Sequence, residues 1–495
     1  ELCGDRLTFA AGFFLLLALA LALSFEFVNG FHDTANAVAT VIYTNTLKPA
    51  YAVVWAGCWN LAGVLWASGA VAYSIVALLP VELVLHSGSG AGFAMIFALL
   101  ISAILWNVGT WYLGLPASSS HTLIGSIMGV GVANSMMAGN GWMAGINWPK
   151  AQEIFTYLIV SPIFGFVGAG LLLLILKAVV RREDLYKAPE KGVPPPMWIR
   201  FVLVCTCTLV SFFHGSNDGQ KGMGLIMLIL VGLVPGAFAL NMASTSAATQ
   251  GAATEMRQLV TVMTPLANGT TIGKDDAIAE LTRFIKPAGG KPTDKTFAAI
   301  ATEGATIADA LSNATTLDNI PHDNRATLRT DIYLVDESLG KINKAKIITD
   351  PAIIPALKKD KSDLDKITKY IPTWVQVAVA FVLGCGTMIG WKRIVVTVGE
   401  KIGKSHLTYA QGASAELIAA STIGVADYMG FPVSTTHVLS SGIAGTMAAN
   451  RSGLQKDTLI SILLAWVLTL PVCVFLGATL FASALYVTFH VFGLR

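Results

Sequence analysis

The stretch Phe212–Gly224, FFHGSNDGQKGMG, decides how the rest of the chain is interpreted. It places Asn217, Asp218, Gln220 and Lys221 between two apolar runs, VLVCTCTLVSFF and MGLIMLILVGLV. A helix needs about 20 apolar residues to cross a hydrocarbon core of roughly 30 Å, and charged residues inside such a segment usually face a bundle interior or a watery pathway. The stretch therefore predicts a polar site at membrane depth, although a short loop at a membrane surface would also accommodate these residues.

A similar pattern occurs near the start of the chain, where residues 27–40 read FVNGFHDTANAVAT. Both copies contain a glycine, then two polar residues ending in Asp, then a polar residue three positions later. With Gly30 placed on Gly215, the paired residues are His32 with Asn217, Asp33 with Asp218, and Asn36 with Lys221. Glycine-flanked interruptions at corresponding places in two halves are typical of transporter sites made of discontinuous helices, so we expect helices to break at these polar motifs.

A second pair of segments repeats more clearly. Residues 115–134 (LPASSSHTLIGSIMGVGVAN) resemble residues 431–450 (FPVSTTHVLSSGIAGTMAAN), with Pro116 on Pro432 and His121 on His437. Because two different motifs recur in the same order, the sequence predicts two homologous halves.

Composition predicts a membrane protein. The chain has 495 residues, of which 54% are hydrophobic and 13% charged, and its mean hydropathy is +0.64. These values indicate a polytopic membrane protein, and we expect it to be all-α, with broken helices or re-entrant hairpins at the polar motifs. The net charge of +3 gives no indication of nucleic-acid binding. No HExxH or GxSxG motif and no cysteine spacing typical of metal sites occurs, so we predict neither an enzyme nor a permanently bound cofactor.

The spacing of the motifs locates an insertion in the second half. The chain has 33 Lys and Arg residues and 30 Asp and Glu residues, and residues 241–370 carry 32 of these 63 charges. Patterns in this range such as DDAIAELTRFI have helical periodicity. We expect a small soluble helical module there, cytoplasmic and structural or oligomer-contacting. The predicted domains are a first membrane repeat over 1–180, a linker over 181–196, the start of the second repeat over 197–240, the insert over 241–370, and the remainder of the second repeat over 371–495.

The duplicated hydroxyl clusters suit a small tetrahedral oxyanion. Such an anion needs several hydrogen-bond donors, positive helix ends and a compensating cation when it enters a membrane protein. Each cluster follows a proline that could begin a helix at its first position. Helix capping and close packing are the structural alternatives for these Ser and Thr residues. The predicted phosphate-binding residues are Ser118, Ser119, Ser120, Gln220, Ser434, Thr435 and Thr436.

The polar residues of the first motif pair suit a cation or a proton. Carboxylate and amide oxygens bind hard cations, and a buried carboxylate can also carry a proton. The predicted coupling residues are His32, Asp33, Asn36, Asn217, Asp218 and Lys221. His121, His437, Glu26 and Glu416 are secondary candidates, each of which has a structural role as its alternative.

These motifs carry a family resemblance. GFHDTANAVAT, HGSNDGQKGMGL and the paired P-x-S-[ST]-[ST]-H segments resemble the signature regions of the inorganic phosphate transporter (PiT) family, most closely its bacterial low-affinity Pit-type members. The resemblance covers both membrane halves and fades inside the insert. It implies an inverted-repeat secondary transporter of the cytoplasmic (inner) membrane, a homodimer, with phosphate and a coupling cation as its partners. It also implies that phosphate travels as a neutral metal–hydrogenphosphate complex, with substrate-borne Mg²⁺ or a similar cation near Asp33 and Asp218.

The chain departs from the family pattern G-x-N-D-x-x-N at two positions, since it has His32 in the first copy and Lys221 in the second. The ammonium of Lys221 could take the electrostatic place of a bound sodium ion. We therefore expect phosphate import by proton symport through alternating access. A sodium-coupled phosphate carrier or a sulfate carrier is the nearest alternative, and a phosphate sensor a more distant one.

Overall fold

The computed structural model describes residues 8–33, 35–79, 84, 89–190, 192–286, 289–348, 362 and 364–487. Within these ranges the chain is helical and contains no β-strand, so the all-α fold class is confirmed. The chain divides into two compact units. We call Leu16–Pro80, Gly90–Ile226 and Ile371–Arg495 the membrane unit, and Glu1–Leu15, Val81–Ser89 and Met227–Tyr370 the insert unit.

The principal helices are α1 (Phe9–Asp33), α2 (Ala35–Tyr43), α3 (Pro49–Trp66), α4 (Ala70–Val76), α5 (Gly90–Tyr112), α6 (Ser119–Met137), α7 (Trp148–Val179), α8 (Met197–Leu233), α9 (Ser246–Leu266), α10 (Lys274–Ile285), α11 (Asp294–Ser312), α12 (His322–Lys344), α13 (Thr373–Thr387), α14 (Lys392–Glu400), α15 (Tyr409–Tyr428), α16 (Thr435–Ala449) and α17 (Lys456–Tyr486). Among the described residues, five helical segments are long and apolar enough to cross a membrane, or up to seven if each of two bent pairs is one span.

The two bent pairs are α3 with α4, which meet at 77°, and α13 with α14, which meet at 64°. Each bend contains a glycine in the left-handed region, Gly69 at φ 86° and Gly390 at φ 74°, which other residues rarely adopt. Broken helices are therefore present, but the break predicted at the second polar motif is wrong. Helix α8 runs without interruption for 37 residues through Phe212–Gly224.

The membrane unit packs reciprocally between its halves. Helix α6 of the first half packs on α17 of the second, α16 packs on α7, and the two bent pairs meet through α3 and α13. The repeated glycines also contact the other half of the chain: Gly30 of α1 lies against the backbone of α13, and Gly215 of α8 lies against the backbone of α3. Two related halves would produce this exchange of partners, while the inverted orientation of the repeats stays a prediction.

The repeated prolines do not begin helices at the predicted first position. Ser118 and Ser434 are the N-cap residues of α6 and α16, so Pro116 and Pro432 lie two residues before the caps. Each cap hydroxyl accepts a hydrogen bond from the backbone N–H of the histidine three residues later, at 3.2 Å in both halves. The structural alternative stated for these residues therefore applies to the first serine of each cluster.

The insert unit has a core of its own. Helices α9 to α12 pack against one another and enclose Met256, Leu281, Ile300 and Val335, which are all fully buried. The amphipathic patterns over 275–285 and 325–342 lie within α10 and α12 as expected. Residues 357–361 and 363 of the third predicted helical pattern, LKKDKSDLDKITKY over 357–370, lie outside the described residues, while residues 364–368 are helical.

Candidate polar site in the membrane unit

The two motif aspartates lie close together although they are far apart in sequence. Asp33 is the last described residue of α1, and Asp218 lies in the middle of α8. Their side chains are 2% and 1% exposed, respectively. The hydroxyl of Ser119 joins them, since its Oγ lies 3.0 Å from Asp33 Oδ2 and 3.4 Å from Asp218 Oδ2. The two carboxylates and one duplicated hydroxyl therefore form a single buried cluster.

Asp33 receives hydrogen bonds from both halves of the chain. Ser119 Oγ of the first half donates to its Oδ2, and Thr436 Oγ1 of the second half donates to its Oδ1 at 2.5 Å. His32 Nδ1 lies 3.3 Å from the same Oδ1, while its Nε2 lies 3.1 Å from Thr110 Oγ1. Asp33 is thus the point where the two hydroxyl clusters converge.

Asp218 has a different partner, the ammonium group of Lys221. Lys221 Nζ lies 2.7 Å from Asp218 Oδ1, and neither side chain has more than 1% of its surface exposed. The two residues are three positions apart in α8 and so share one helical face, as their spacing predicts. Breaking a buried ion pair leaves an uncompensated charge, which costs about 3–5 kcal/mol. Lys221 therefore fixes the charge state of the Asp218 side of the cluster.

A third basic group, His214, was not among the predicted site residues. Its Nε2 lies 3.5 Å from Asp218 Oδ2 and 3.8 Å from Asp33 Oδ2. Its Nδ1 lies 3.0 Å from Asn60 Oδ1, and Asn60 donates its own Nδ2 to Thr387. A usable signal was present, because His214 precedes Asp218 by four residues and therefore lies on the same helical face.

One metal ion could fit among these groups. Within the described ranges, Asp33, His214 and Asp218 form the one group of three His, Cys, Asp or Glu side chains with ligand atoms suitably close, all within 4.8 Å of one another. Carboxylate oxygens suit Mg²⁺, and imidazole suits several transition metals. This group includes both aspartates near which a substrate-borne cation is expected, and that cation site stays a prediction.

The other hydroxyl-cluster residues hold the two halves together. Asn36 donates to Thr435 at 3.3 Å and to Thr436 at 3.0 Å. Ser120 donates to the carbonyl oxygen of Val433 at 2.8 Å, so the first cluster supports the loop before the second. Asn36, Ser119, Ser120, Thr435 and Thr436 therefore belong to one connected network at the N-termini of α6 and α16.

Comparison with known proteins identifies the family. Residues 29–477 match the family described as the phosphate transporter family. The chain belongs to the phosphate transporter family. It is 43% identical over 501 residues to "Low-affinity inorganic phosphate transporter PitB" of Escherichia coli K12, a match that covers 96% of this chain and 97% of that protein. It is 44% identical over 487 residues to "Low-affinity inorganic phosphate transporter PitA" of the same strain, with 95% and 96% covered.

A solved structure described as "The sodium-dependent phosphate transporter" has the same fold. It matches 95% of this chain and 98% of its own length with a TM-score of 0.52 and 19% sequence identity. The family match and the two relatives confirm the resemblance to the PiT family, and the chain is a multi-pass membrane transporter of phosphate and not an enzyme.

Two predicted residues of the transporter face away from the aspartate cluster. Gln220 Nε2 donates to Asp427 Oδ1 at 2.7 Å, and Gln220 Oε1 accepts from the backbone N–H of Val71 at 2.9 Å. Asn217 donates to the carbonyl oxygen of Phe431 at 3.0 Å, so it holds the loop before α16. Asp427, which also accepts from Ser216, was missed because nothing in the sequence connects it to α8.

The two secondary histidines of the transporter meet each other. The ring centroids of His121 and His437 are 4.6 Å apart, and His437 also stacks on Trp466 at 4.0 Å. These contacts arise because both histidines occupy the same position in their repeats, three residues after the N-cap. The described contacts place the pair in an aromatic stack.

The two secondary acids of the transporter are fully buried. Glu26 packs on the backbone of Gly222, where an added Cβ would lie 2.3 Å from its Cγ, and Asn29 Nδ2 lies 3.4 Å from its Oε2. Glu416 accepts a hydrogen bond from Thr206 at 2.5 Å. Glu26 is therefore next to the backbone of the residue that follows Lys221, whereas Glu416 contacts the first part of α8.

Proposed function

We propose that this transporter imports inorganic phosphate through the cytoplasmic membrane by proton symport and alternating access, and that it carries phosphate as a neutral metal–hydrogenphosphate complex. The observation that supports this proposal most directly is the buried cluster of Asp33 and Asp218 with Lys221 and His214. Two acids, one ammonium group and one imidazole lie within contact distance of one another on α1 and α8, which belong to two of the candidate membrane spans. Such groups are costly in a membrane and are retained on ion and proton pathways.

The charge balance of the cluster favours a proton as the coupling ion. Two carboxylates and the Lys221 ammonium leave one negative charge, and a proton shared with His214 would neutralise it. His214 Nδ1 faces an amide oxygen that can accept its hydrogen, so the lone pair of a neutral imidazole would point at the two carboxylates. A proton on Nε2 converts that repulsion into attraction. His214 is therefore a coupling residue in this proposal, together with Asp33 and Asp218.

The same carboxylates can receive the cation that travels with phosphate. Mg²⁺ binds oxygen ligands and keeps several of its waters, and the ligand atoms of Asp33, His214 and Asp218 lie within 4.8 Å of one another. Ligands must be deprotonated to bind a metal, so in a symporter the carboxylates of Asp33 and Asp218 would hold the cation while the transported proton stays on His214. The proton and the cation would then occupy neighbouring groups of one cluster in the same step.

The phosphate oxygens would replace Asp33 as partners of the duplicated hydroxyls. Ser119 and Thr436 donate to this carboxylate and begin two helices whose N-terminal ends are positive. Rotation of these hydroxyls towards a substrate oxygen keeps their hydrogen bonds satisfied. Hydrogenphosphate can in turn donate its own hydrogen to Asp33, which sulfate cannot do.

The test is uptake of labelled phosphate into proteoliposomes under imposed proton or sodium gradients, with and without Mg²⁺. We expect uptake driven by inward protons and increased by Mg²⁺. Lys221→Asn should reduce proton-driven uptake by about 100-fold or more, because it leaves Asp218 buried without its partner, and it should make the remaining uptake depend on sodium. Lys346→Asn is the control, since Lys346 is exposed in the insert unit and has φ 49°, which Asn tolerates.

Each rival function predicts a different result. Sodium-driven uptake by the unaltered protein would contradict proton coupling and leave phosphate transport intact. Sulfate uptake without phosphate uptake would contradict the choice of substrate. Phosphate binding without flux or counterflow would favour a sensor. If Lys221→Asn left uptake unchanged and sodium-independent, the role given to Lys221 would be wrong.

A further inference from the structure

A pocket with aromatic and basic walls is lined by residues of α5 and of the bend between α13 and α14. The candidate span Gly90–Tyr112 ends there, and the bent pair α13–α14 turns there. The pocket has a volume of about 590 Å³, and its lining includes the aromatic residues Trp111, Tyr112 and Trp391. A site at the end of spanning helices lies where the hydrocarbon core meets the lipid headgroups, and Trp and Tyr are enriched at this level.

Three cations surround this pocket. Lys392, Arg393 and Lys401 all belong to its lining and all are exposed. Glu400 is the neighbouring acid on the same segment, so the local charge is positive. Exposed cations beside aromatic rings at the end of a membrane helix suit a negatively charged headgroup.

Arg393 is held in a fixed orientation. Its guanidinium carbon lies 5.3 Å from the ring centroid of Trp111 and 4.7 Å from that of Tyr112. One guanidinium nitrogen donates to the carbonyl oxygen of Tyr112 at 2.8 Å, which also caps the end of α5. No acceptor for Nε or Nη2 is recorded among the described residues. A guanidinium with two oriented donors matches two oxygens of one phosphate group.

The walls of the pocket are fixed as well. Trp111 donates its indole N–H to the carbonyl oxygen of Gly390 at 2.7 Å, and Thr397 donates to the carbonyl oxygen of Gly114 at 2.8 Å. The opposite face of α14 buries Ile394, Val395 and Val398 and packs on α2. Helix α14 is therefore amphipathic and anchored on one face, while its first residues present charge to the pocket.

We propose that this pocket binds the headgroup of an anionic phospholipid, with Arg393, Lys392 and Lys401 on the phosphate and Trp111 and Trp391 on the glycerol and the upper acyl chain. A free phosphate ion offers the same oxygens. The lipid is favoured because a pocket of about 590 Å³ with aromatic walls is far larger than one phosphate ion needs, and because Tyr112 and Leu113 beside it are 63% and 69% exposed. These exposed apolar groups have a partner in the acyl chain and none in inorganic phosphate.

The experiment is native mass spectrometry of the purified full-length chain, titrated with phosphatidylglycerol or phosphatidylcholine, for the unaltered protein and two triple variants. The test variant is Lys392→Gln, Arg393→Gln, Lys401→Gln. The control variant is Arg181→Gln, Arg182→Gln, Lys187→Gln, which removes three exposed cations just beyond the end of α7. We expect the test variant to bind phosphatidylglycerol at least about tenfold more weakly, because each cation near a membrane surface contributes to anionic-lipid binding, while the control variant binds it like the unaltered protein.

Three results would overturn the proposal. The first is an equal loss of phosphatidylglycerol affinity in the test and control variants. The second is equal affinity of the unaltered protein for phosphatidylcholine and phosphatidylglycerol, and the third is displacement of its bound lipid by millimolar inorganic phosphate. The last result would assign the pocket to the free ion. Circular dichroism of both variants checks that they are folded. Phosphate uptake in liposomes of phosphatidylcholine alone is a separate measurement of transport, so failure of the lipid proposal leaves the proposed function untouched.

Discussion

The repeated glycine of the first motif offers a sharp test of the packing. In a Gly30→Ala variant the added Cβ would lie 2.4 Å from the carbonyl oxygen of Leu383 and 3.0 Å from the backbone N of Thr387. An ordinary contact begins near 3.4 Å, so α1 and α13 must separate by about 1 Å, because backbone atoms cannot rotate away. Overpacking of this kind costs about 1–3 kcal/mol.

A matched control lies in the same helix. Gly12 also belongs to α1, and a Cβ added there meets no atom within 4 Å. Both substitutions gain the same helix propensity, about 1 kcal/mol at most, so the difference between the two variants isolates the clash. We expect Gly30→Ala to be less stable than Gly12→Ala by about 1–3 kcal/mol, measured as a lower melting temperature of the protein in detergent.

The same displacement should impair transport. Asp33 lies three residues after Gly30 in the same helix, and a misplacement of about 1 Å at a functional group can cost about 100-fold in rate. Phosphate uptake should fall at least about tenfold in Gly30→Ala and stay unchanged in Gly12→Ala. Gly215→Ala, whose Cβ would lie 2.1 Å from the carbonyl oxygen of Asn60, should behave like Gly30→Ala. Equal stability and equal uptake of Gly30→Ala and Gly12→Ala would refute the reasoning.

Two further predictions concern buried polar groups. Burial, together with the charge of Asp331, raises the pKa of Glu303 to about 7 from 4.5, so the folded insert binds a proton that the unfolded chain releases, and its stability falls as pH rises from about 4.5 through about 7. Glu303→Gln should therefore slow amide exchange in α11 at about pH 8, by up to roughly 2–3 kcal/mol in opening free energy, and change little at about pH 5; an unchanged pH dependence would contradict the raised pKa. Gln220→Ala and Asp427→Ala should each lower the melting temperature. The loss in free energy of unfolding of the double variant should be smaller than the sum of the two single losses by about 1 kcal/mol, because the two side chains share one hydrogen bond. Full additivity would contradict that bond.

The sequence predicted the parts of the site that the repeat duplicates. Asp33, Asp218, Ser119 and Thr436 each occupy a repeated position, and the structure brings all four together because the motif helices of the two halves meet. Gln220 points to a different side of α8 from Asp218 because the two residues are two positions apart on a helix, but nothing in the sequence identifies Asp427 as the partner of Gln220. His214 was missed for another reason. When the two motif copies are aligned, His214 pairs with Asn29, which has no charge.

The proline motifs predicted correctly that a helix starts in both copies but predicted the wrong residue for its start. A proline followed by serines and a histidine predicts a helix start, and a helix does start in both copies. The side-chain oxygen of Ser118 or Ser434 satisfies an otherwise unpaired N–H, so this serine becomes the cap and the proline falls outside the helix. Local hydrogen bonding thus moved the first helical residue three positions beyond the proline, from Pro116 to Ser119 and from Pro432 to Thr435.

The continuity of α8 has a physical cause that the sequence pattern concealed. Four glycines in Phe212–Gly224 suggest a break, yet an added Cβ at Gly215, Gly219, Gly222 or Gly224 would strike Asn60, Val64, Glu26 or Ala72, respectively, in a neighbouring helix. The glycines therefore permit close approach of helices, as small residues do inside membranes, where lipid provides no hydrophobic driving force between helices.

An unbroken helix at this point also explains how the charges are retained. Because α8 is continuous here, the backbone N–H and C=O groups around Asp218 are paired within the helix, and it is the side chains of Asp218, Lys221 and His214 that need partners elsewhere. Close approach of α3 at Gly215 supplies Asn60 to His214, and close approach of α1 at Gly222 places Glu26 beside the residue that follows Lys221. The glycines that suggested a helix break are thus the residues that let neighbouring helices approach α8 and supply partners for its buried charged side chains.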